Sequence, residues 1–244
     1  LKENFRNLKI KRLVGDITDK GKINRIFEDF RPQIIFHAAA YKHVPLMEEN
    51  IAEAVKNNIM GTKNVAEASV NFGTEKFIFI STDKAVNPTS VMGCTKRIGE
   101  MICQFLNERG KTIFSSVRFG NVLNSRGSVI PIFREQIKKG GPVQVTHPEM
   151  KRYFMLTSEA CLLVMQAGAM GHGGEVFVLD MGSPVKILDL AKEMIKLSGL
   201  ILDKDIAITF SGIRPGEKLF EEILTAEEGM VSTQNKKIFI AKLS

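Results

Sequence analysis

Gln33-Ile34-Ile35-Phe36-His37-Ala38-Ala39-Ala40 is the stretch that decides the fold. An apolar run of this length, closed by three alanines, predicts a strand buried on both faces of a parallel sheet. On its N-terminal side, Lys20 to Phe30 reads as a helix stopped by Arg31-Pro32, and Lys11 to Ile17 as a short strand ending in Gly15-Asp16. On its C-terminal side comes a helix from about Ile51 to Phe72, ended by Gly73, then a strand from Lys76 to Ser81. A helix from about Val91 to Arg109, ended by Gly110, and a strand from Thr112 to Phe119 complete the series. Strand and helix alternating at this spacing predict an α/β fold with a doubly wound parallel sheet, whose ligands bind at the carboxyl ends of the strands.

From Gly120 onward the elements shorten. Helices are expected at Val129 to Lys139, Ser158 to Met170 and Lys186 to Leu197, with short strands near Val143, Val176 to Asp180, Ile206 to Phe210 and Ile238 to Ala241. This reads as a second, smaller lobe, giving an expected division into residues 1–121 and 122–244. The chain has 244 residues, 44% hydrophobic and 25% charged, which is an ordinary globular composition. Its net charge of +7 is spread along the sequence without aromatic interleaving, which favours a small anionic ligand over nucleic acid. Cys94, Cys103 and Cys161 have no metal-type spacing, so no metal site is expected, and a reducing, cytoplasmic setting is. No apolar stretch reaches the roughly 18 residues of a membrane helix.

The strand ends carry the candidate chemistry. Ala38, Ala39 and Ala40 would let a flat ligand approach the backbone, or would serve close helix packing. Asp16, after the first expected strand, could accept from an adenine amine or cap the helix at Lys20. Thr82, Asp83 and Lys84 end the strand from Lys76 at the ligand edge. Met92 and Lys96 follow on a helix with the i, i+4 spacing that puts both on one face. A thioether supplies no proton, so acid and base work would fall to Thr82, Asp83 or Lys84. His43 is a competing acceptor or a structural hydrogen-bonder. Arg214, before Pro215-Gly216, suits a pyrophosphate, with Arg126 and Arg152 as further candidates.

Six motifs in order, His37 to Pro45, Ser81 to Ala85, Met92 to Lys96, Arg118 to Val122, Arg152 to Met155 and Arg214 to Lys218, resemble one family. It is the polysaccharide-biosynthesis, CapD-like branch of the extended short-chain dehydrogenase/reductases, whose studied members are UDP-N-acetylglucosamine 4,6-dehydratases. The resemblance spans about Val14 to Leu224. It implies a Rossmann-like fold, NADP or NAD as cofactor and UDP-N-acetylglucosamine as substrate. By position, Thr82 matches the residue that bonds the sugar 4-hydroxyl, Lys96 the lysine at the nicotinamide ribose, and Met92 the usual tyrosine. Asp83 and Lys84 match the acid and base of water elimination. Asp16, Ile17, Ala38, Ala39, Ala40 and Lys96 are then expected at the cofactor, and Asn121, Arg152, Arg214 and Glu217 at the substrate. A Lys84 base would need a pKa drawn down toward neutrality.

The sequence has no Gly-rich phosphate turn between a first strand and helix. The expectation is therefore a chain missing its first βα unit, with an unpaired sheet edge and weakened cofactor binding. The methionine looks like the long, membrane-anchored branch of the family, so the full-length protein is expected to be anchored with a cytoplasmic catalytic domain, and to be a homo-oligomer. Three functions compete: the 4,6-dehydratase, a sugar-nucleotide 4- or 5-epimerase, and a non-catalytic NAD(P)- or UDP-sugar-binding module.

Overall fold

The computed structural model describes residues 8–123, 125, 127–224 and 229–242. Helix α1 (Lys20–Phe30) forms where the sequence places it, for local reasons. The Asp19 carboxylate accepts from the Lys22 amide at 2.9 Å, and Arg31 closes the far end in the left-handed region (φ 43°) before Pro32. Asp16 is therefore not the helix cap; its carboxylate accepts from the amide and hydroxyl of Thr18, both at 2.8 Å.

The chain continues through β1 (Ile34–His37), α2 (Val44–Glu49) and a long helix in three parts. These are α3 (Ile51–Ala54), a π-helical segment over Val55–Gly61, and α4 (Thr62–Asn71). The expected single helix is thus interrupted by a wider turn, the kind that re-aims side chains. Here it coincides with Asn58, buried and bonded to the Tyr41 amide (2.7 Å), the Tyr41 carbonyl (2.9 Å) and the Thr95 hydroxyl (3.0 Å). Then follow β2 (Lys76–Ile80), α5 (Val91–Asn107), β3 (Ile113–Arg118), α6 (Val129–Lys138), α7 (Thr157–Met170), β4 (Val176–Leu179), α8 (Ile187–Leu197), β5 (Gly229–Ser232) and β6 (Ile238–Lys242).

These six strands make one sheet in the order β1-β2-β3-β4-β6-β5. The first four run parallel, and β6 is antiparallel to both β4 and β5. Helices α1, α4 and α5 cover one face around Phe77, Phe79 and Phe114; α7 covers the other around Ile78, Val117 and Phe177. Each of those phenylalanines is completely buried and contributes about 1.5–3 kcal/mol. Gly99 seats α5 on the sheet, since a Cβ there would collide with the Phe79 ring.

Three expectations are corrected. Lys11 to Ile17 is not a strand among the described residues: a strand exists only through its neighbour, and this segment pairs with none. β1, at the sheet's edge among the described residues, is not buried on both faces: Ile34 and Phe36, which share a face, are 54% and 47% exposed. Residue 121 does not separate two sheets, since β4, β5 and β6 all rejoin the main one. The small lobe is instead built from α6, α8 and the paired strands Val143–Val145 and Ile208–Phe210, around Phe133, Ile187 and Ile195.

Candidate active site

A cavity of about 840 Å³ lies at the carboxyl ends of β1, β2 and β3, facing the small lobe. Ala38 and Ala40 line it after β1, Thr82 and Lys84 after β2, and Gly120 and Asn121 after β3. Met92, Lys96, Arg152, Arg214, Glu217 and Glu221 also line it.

β2 ends because residues 83–85 tighten into a single 3₁₀ turn, tied to the end of β3 by the Asp83 amide donating to the Phe119 carbonyl (3.1 Å). That turn brings three chemical groups together. The Thr82 hydroxyl donates to Asp83 Oδ1 at 2.9 Å, and Lys84 Nζ reaches the same oxygen at 3.0 Å. Lys84 also donates to Asn121 Oδ1 at 3.4 Å and stands 3.5 Å from Glu221 Oε1. Asp83 is 1% exposed, and its Oδ2 has no hydrogen-bond partner. A buried acceptor without a donor is costly, and this one lies beside Gly120 and not on the cavity wall, since Asp83 is not among the lining residues. Burial draws the Lys84 pKa down, but Asp83 and then Glu221 more than reverse this, and it stands above the ordinary lysine value. The condition for a Lys84 base, a pKa drawn toward neutrality, is not met in this fold, where Asp83 and Glu221 favour the ammonium.

Helix α5 begins at the Ser90 cap, whose hydroxyl accepts from the Gly93 amide at 3.1 Å, and the helix presents Met92 and Lys96 to the cavity. Lys96 Nζ donates to the Ile80 carbonyl at 2.7 Å and sits 4.6 Å from the centre of the Phe79 ring. Burial lowers its pKa to about 8, with Cys103 and Glu100 opposing. Met92 packs among Val44, Met47 and Ala54, apolar neighbours that suit a thioether. Below, Glu100 grips the fully buried Arg118 through two bonds (2.8 and 2.9 Å) and accepts from Ser81 at 2.6 Å. This pair fixes β2 to β3 directly beneath the Thr82 turn.

At the far side of the cavity, Arg214 and Glu217 form a two-bond pair (3.1 and 2.6 Å). Gly216, at φ 75°, allows the turn that makes it. Arg152 lines the cavity, yet its guanidinium donates to the carbonyls of Lys218 (2.8 Å) and Leu219 (3.2 Å). His43 and Phe154 line the cavity too. Asp16, Ile17 and Ala39 are not among its lining residues; Ile17 packs instead on the π-helical segment, where a Cβ on Gly61 would meet it at 2.6 Å. Arg126 lies outside the described residues. Glu221 was missed in the sequence reading. Its one signal is the spacing from Glu217 in Glu-Lys-Leu-Phe-Glu, which does not reveal that the second carboxylate is buried.

A mostly parallel sheet whose second strand ends in Thr-Asp-Lys, with a lysine arriving from the following helix, defines the Rossmann-fold short-chain dehydrogenase/reductase class. Within it, the chain belongs to the family described as "Polysaccharide biosynthesis protein", whose sequence profile matches residues 1–243. The capsular polysaccharide biosynthesis protein CapD of Staphylococcus aureus is 59% identical over 232 residues, 95% of this chain and 39% of that protein. A UDP-glucose 4-epimerase of Rickettsia bellii (strain OSU 85-389) is 38% identical over 225 residues, 91% of this chain and 64% of that one. The X-ray structure of Pen from Bacillus thuringiensis shares the fold at a TM-score of 0.88 and 37% identity, covering 98% of this chain and 74% of that chain. The chain thus spans about two fifths of the length of CapD.

Proposed function

We propose that this chain carries the reaction centre of an NAD(P)-dependent nucleotide-sugar 4,6-dehydratase that acts on UDP-N-acetylglucosamine for surface polysaccharide synthesis. The observation that carries the reading is the Asp83–Lys84 pair, 3.0 Å apart, in which Lys84 lines the cavity and Asp83 lies buried behind Thr82 and Lys84, both of which it bonds. Loss of water across C5 and C6 needs a proton acceptor and a proton donor side by side. Inversion at C4 needs no such pair.

The residues present fit the nicotinamide end of the cofactor. Ala38 and Ala40 leave room at the end of β1, and Lys96 provides a donor beside them. When bound, the nicotinamide supplies hydride acceptance and return. The sequence contains no Gly-rich turn for the pyrophosphate end. Thr82 does the work for which Met92 has no proton: a sugar hydroxyl donating to its oxygen is linked through the Thr82–Asp83 bond to a carboxylate. Because Lys84 stands charged, it is the donor to the departing C6 hydroxyl, and Asp83 accepts the C5 proton after the C4-hydroxyl proton it took through Thr82 has passed back to water in the cavity. Arg214, held side-on by Glu217, offers a fixed cation to the diphosphate.

The test is incubation of the full-length protein with UDP-N-acetylglucosamine in deuterated water, read by NMR. A C6 methyl group and deuterium at C5 are expected. A product that keeps its water and differs only at C4 would instead establish the epimerase reading, which the identity to the Rickettsia enzyme favours.

A further inference from the structure

Glu221 touches the reaction centre without having been assigned any part in it. Its carboxylate is 3.5 Å from Lys84 Nζ and 3.8 Å from an Arg152 Nη, with a side chain only 3% exposed. We infer that Glu221 is a positioning residue: it bridges Lys84 and Arg152, fixes where the Lys84 ammonium stands, and ties that position to the Arg214 end of the cavity. The inference rests on the place given to Lys84 in the proposed reaction.

The tie is the connecting segment. Residues 211–224 have no helix or strand, and bonds from side chains and from neighbouring backbone hold their course. The Arg152 guanidinium holds the Lys218 and Leu219 carbonyls, the Lys151 amide donates to the Leu219 carbonyl at 3.2 Å, and Lys218 Nζ donates to the Val86 carbonyl at 3.1 Å. One short stretch therefore carries Arg214, Glu217 and Glu221, all three lining the cavity. An anion that shifts Arg214 pulls on the chain that places Glu221.

The charges facing Lys84 are Asp83, Glu221 and Arg152, with the Asn121 amide oxygen beside them. Those facing Glu221 are Lys84, Asp83, Arg152 and Lys218. Burial raises the Glu221 pKa and Lys84 opposes this. A residue that served only to neutralise Arg152 would leave Lys84 indifferent to its removal, and this separates the two roles.

The experiment uses full-length protein labelled with ¹⁵N at the lysine Nζ atoms, with the Lys84 signal assigned by its loss in Lys84→Arg. In Glu221→Gln, the Lys84 ammonium signal is expected to disappear at lower pH than in the parent. The kcat for UDP-N-acetylglucosamine should fall by about tenfold or more with KM little changed. Glu221→Asp keeps the charge on a shorter arm and should restore part of both, which covers a Gln variant that folds poorly. An unchanged Lys84 titration in a folded Gln variant overturns the inference, as does an Asp variant whose Lys84 titration and kcat lie no closer to the parent's than those of the Gln variant. A downward shift in a protein that turns over no UDP-sugar upholds it and sinks the proposed reaction instead.

Discussion

Gly120→Ala is the most direct test of how tightly the site is built. Gly120 lines the cavity at the end of β3, and a Cβ there would lie 2.9 Å from Tyr153 Cβ, 3.1 Å from Asp83 Oδ2 and 3.3 Å from Met181 Cε. Ordinary contact begins near 3.4 Å, so the deficit is about 0.5 Å at Tyr153 and 0.3 Å at Asp83. Neither neighbour yields easily. Tyr153 Cβ hangs on backbone that the Asn121 amide grips at 3.0 Å, and Asp83 is held by Thr82 and Lys84. Overpacking of this kind costs about 1–3 kcal/mol. The entropy lost from the unfolded chain on replacing glycine returns about 0.4–1 kcal/mol, so a net loss of about 1–2 kcal/mol is expected. Displacing Asp83 by about 0.3 Å, where 1 Å costs about a hundredfold, should lower kcat by about fourfold. Urea unfolding and steady-state kinetics of the full-length protein give both numbers. Gly21→Ala in α1, where the nearest atom is 3.5 Å away, is the control and should be neutral or stabilising. A Gly120→Ala protein as stable and as fast as its parent would refute the packing argument.

Lys96 loses its proton near pH 8 in the fold but near 10.5 when unfolded, so its contribution to stability rises from pH 8 to 10.5 and is flat below. Lys96→Met should abolish that rise in denaturation measured across the window. His37, whose pKa burial lowers to about 3, works in the same direction in a more acidic window: stability falls as pH drops from 6.5 toward 3, and His37→Gln should flatten that fall. Lys84→Ala should leave UDP-sugar bound and unconverted in calorimetry and product NMR; retained turnover contradicts its role. Met92→Tyr should keep or raise turnover, because the substituted phenol adds a proton carrier at a residue lining the cavity, and an inactive, folded variant would count against the relay through Thr82.

What could be read in advance was what local chemistry determines. α1 was legible to the residue because Asp19, Arg31 and Pro32 punctuate it. The π-helical segment was not, since one wider turn leaves the apolar spacing almost unchanged. Helix α2 escaped because His-Val-Pro at residues 43–45 reads as loop, and six residues give periodicity little to show. The strand expected at Lys11 to Ile17 failed for the opposite reason: its residues suit a strand, but pairing is a property of two segments. In the site, the Thr-Asp-Lys and Met-x-x-x-Lys motifs were visible as spacing. The burial of Glu221 was not, because a distant segment puts it there.

The same limit explains why the two lysines were assigned by family resemblance alone and not from their own chemistry. Lys84 and Lys96 differ on paper only in their neighbours along the chain. In the fold they are pushed apart: Lys84 stands between two carboxylates and is raised, while Lys96 is sealed against Phe79 and the Ile80 carbonyl and lowered to about 8. Titratable groups driven in opposite directions within one cavity are the mark of divided roles. Lys84 is suited to remain a cation that holds and gives a proton. Lys96 is suited to polarise what lies above it while changing charge near neutral pH. In the proposed reaction Asp83, at the end of the Thr82 bond, takes the acceptor's part that a thioether at position 92 leaves vacant.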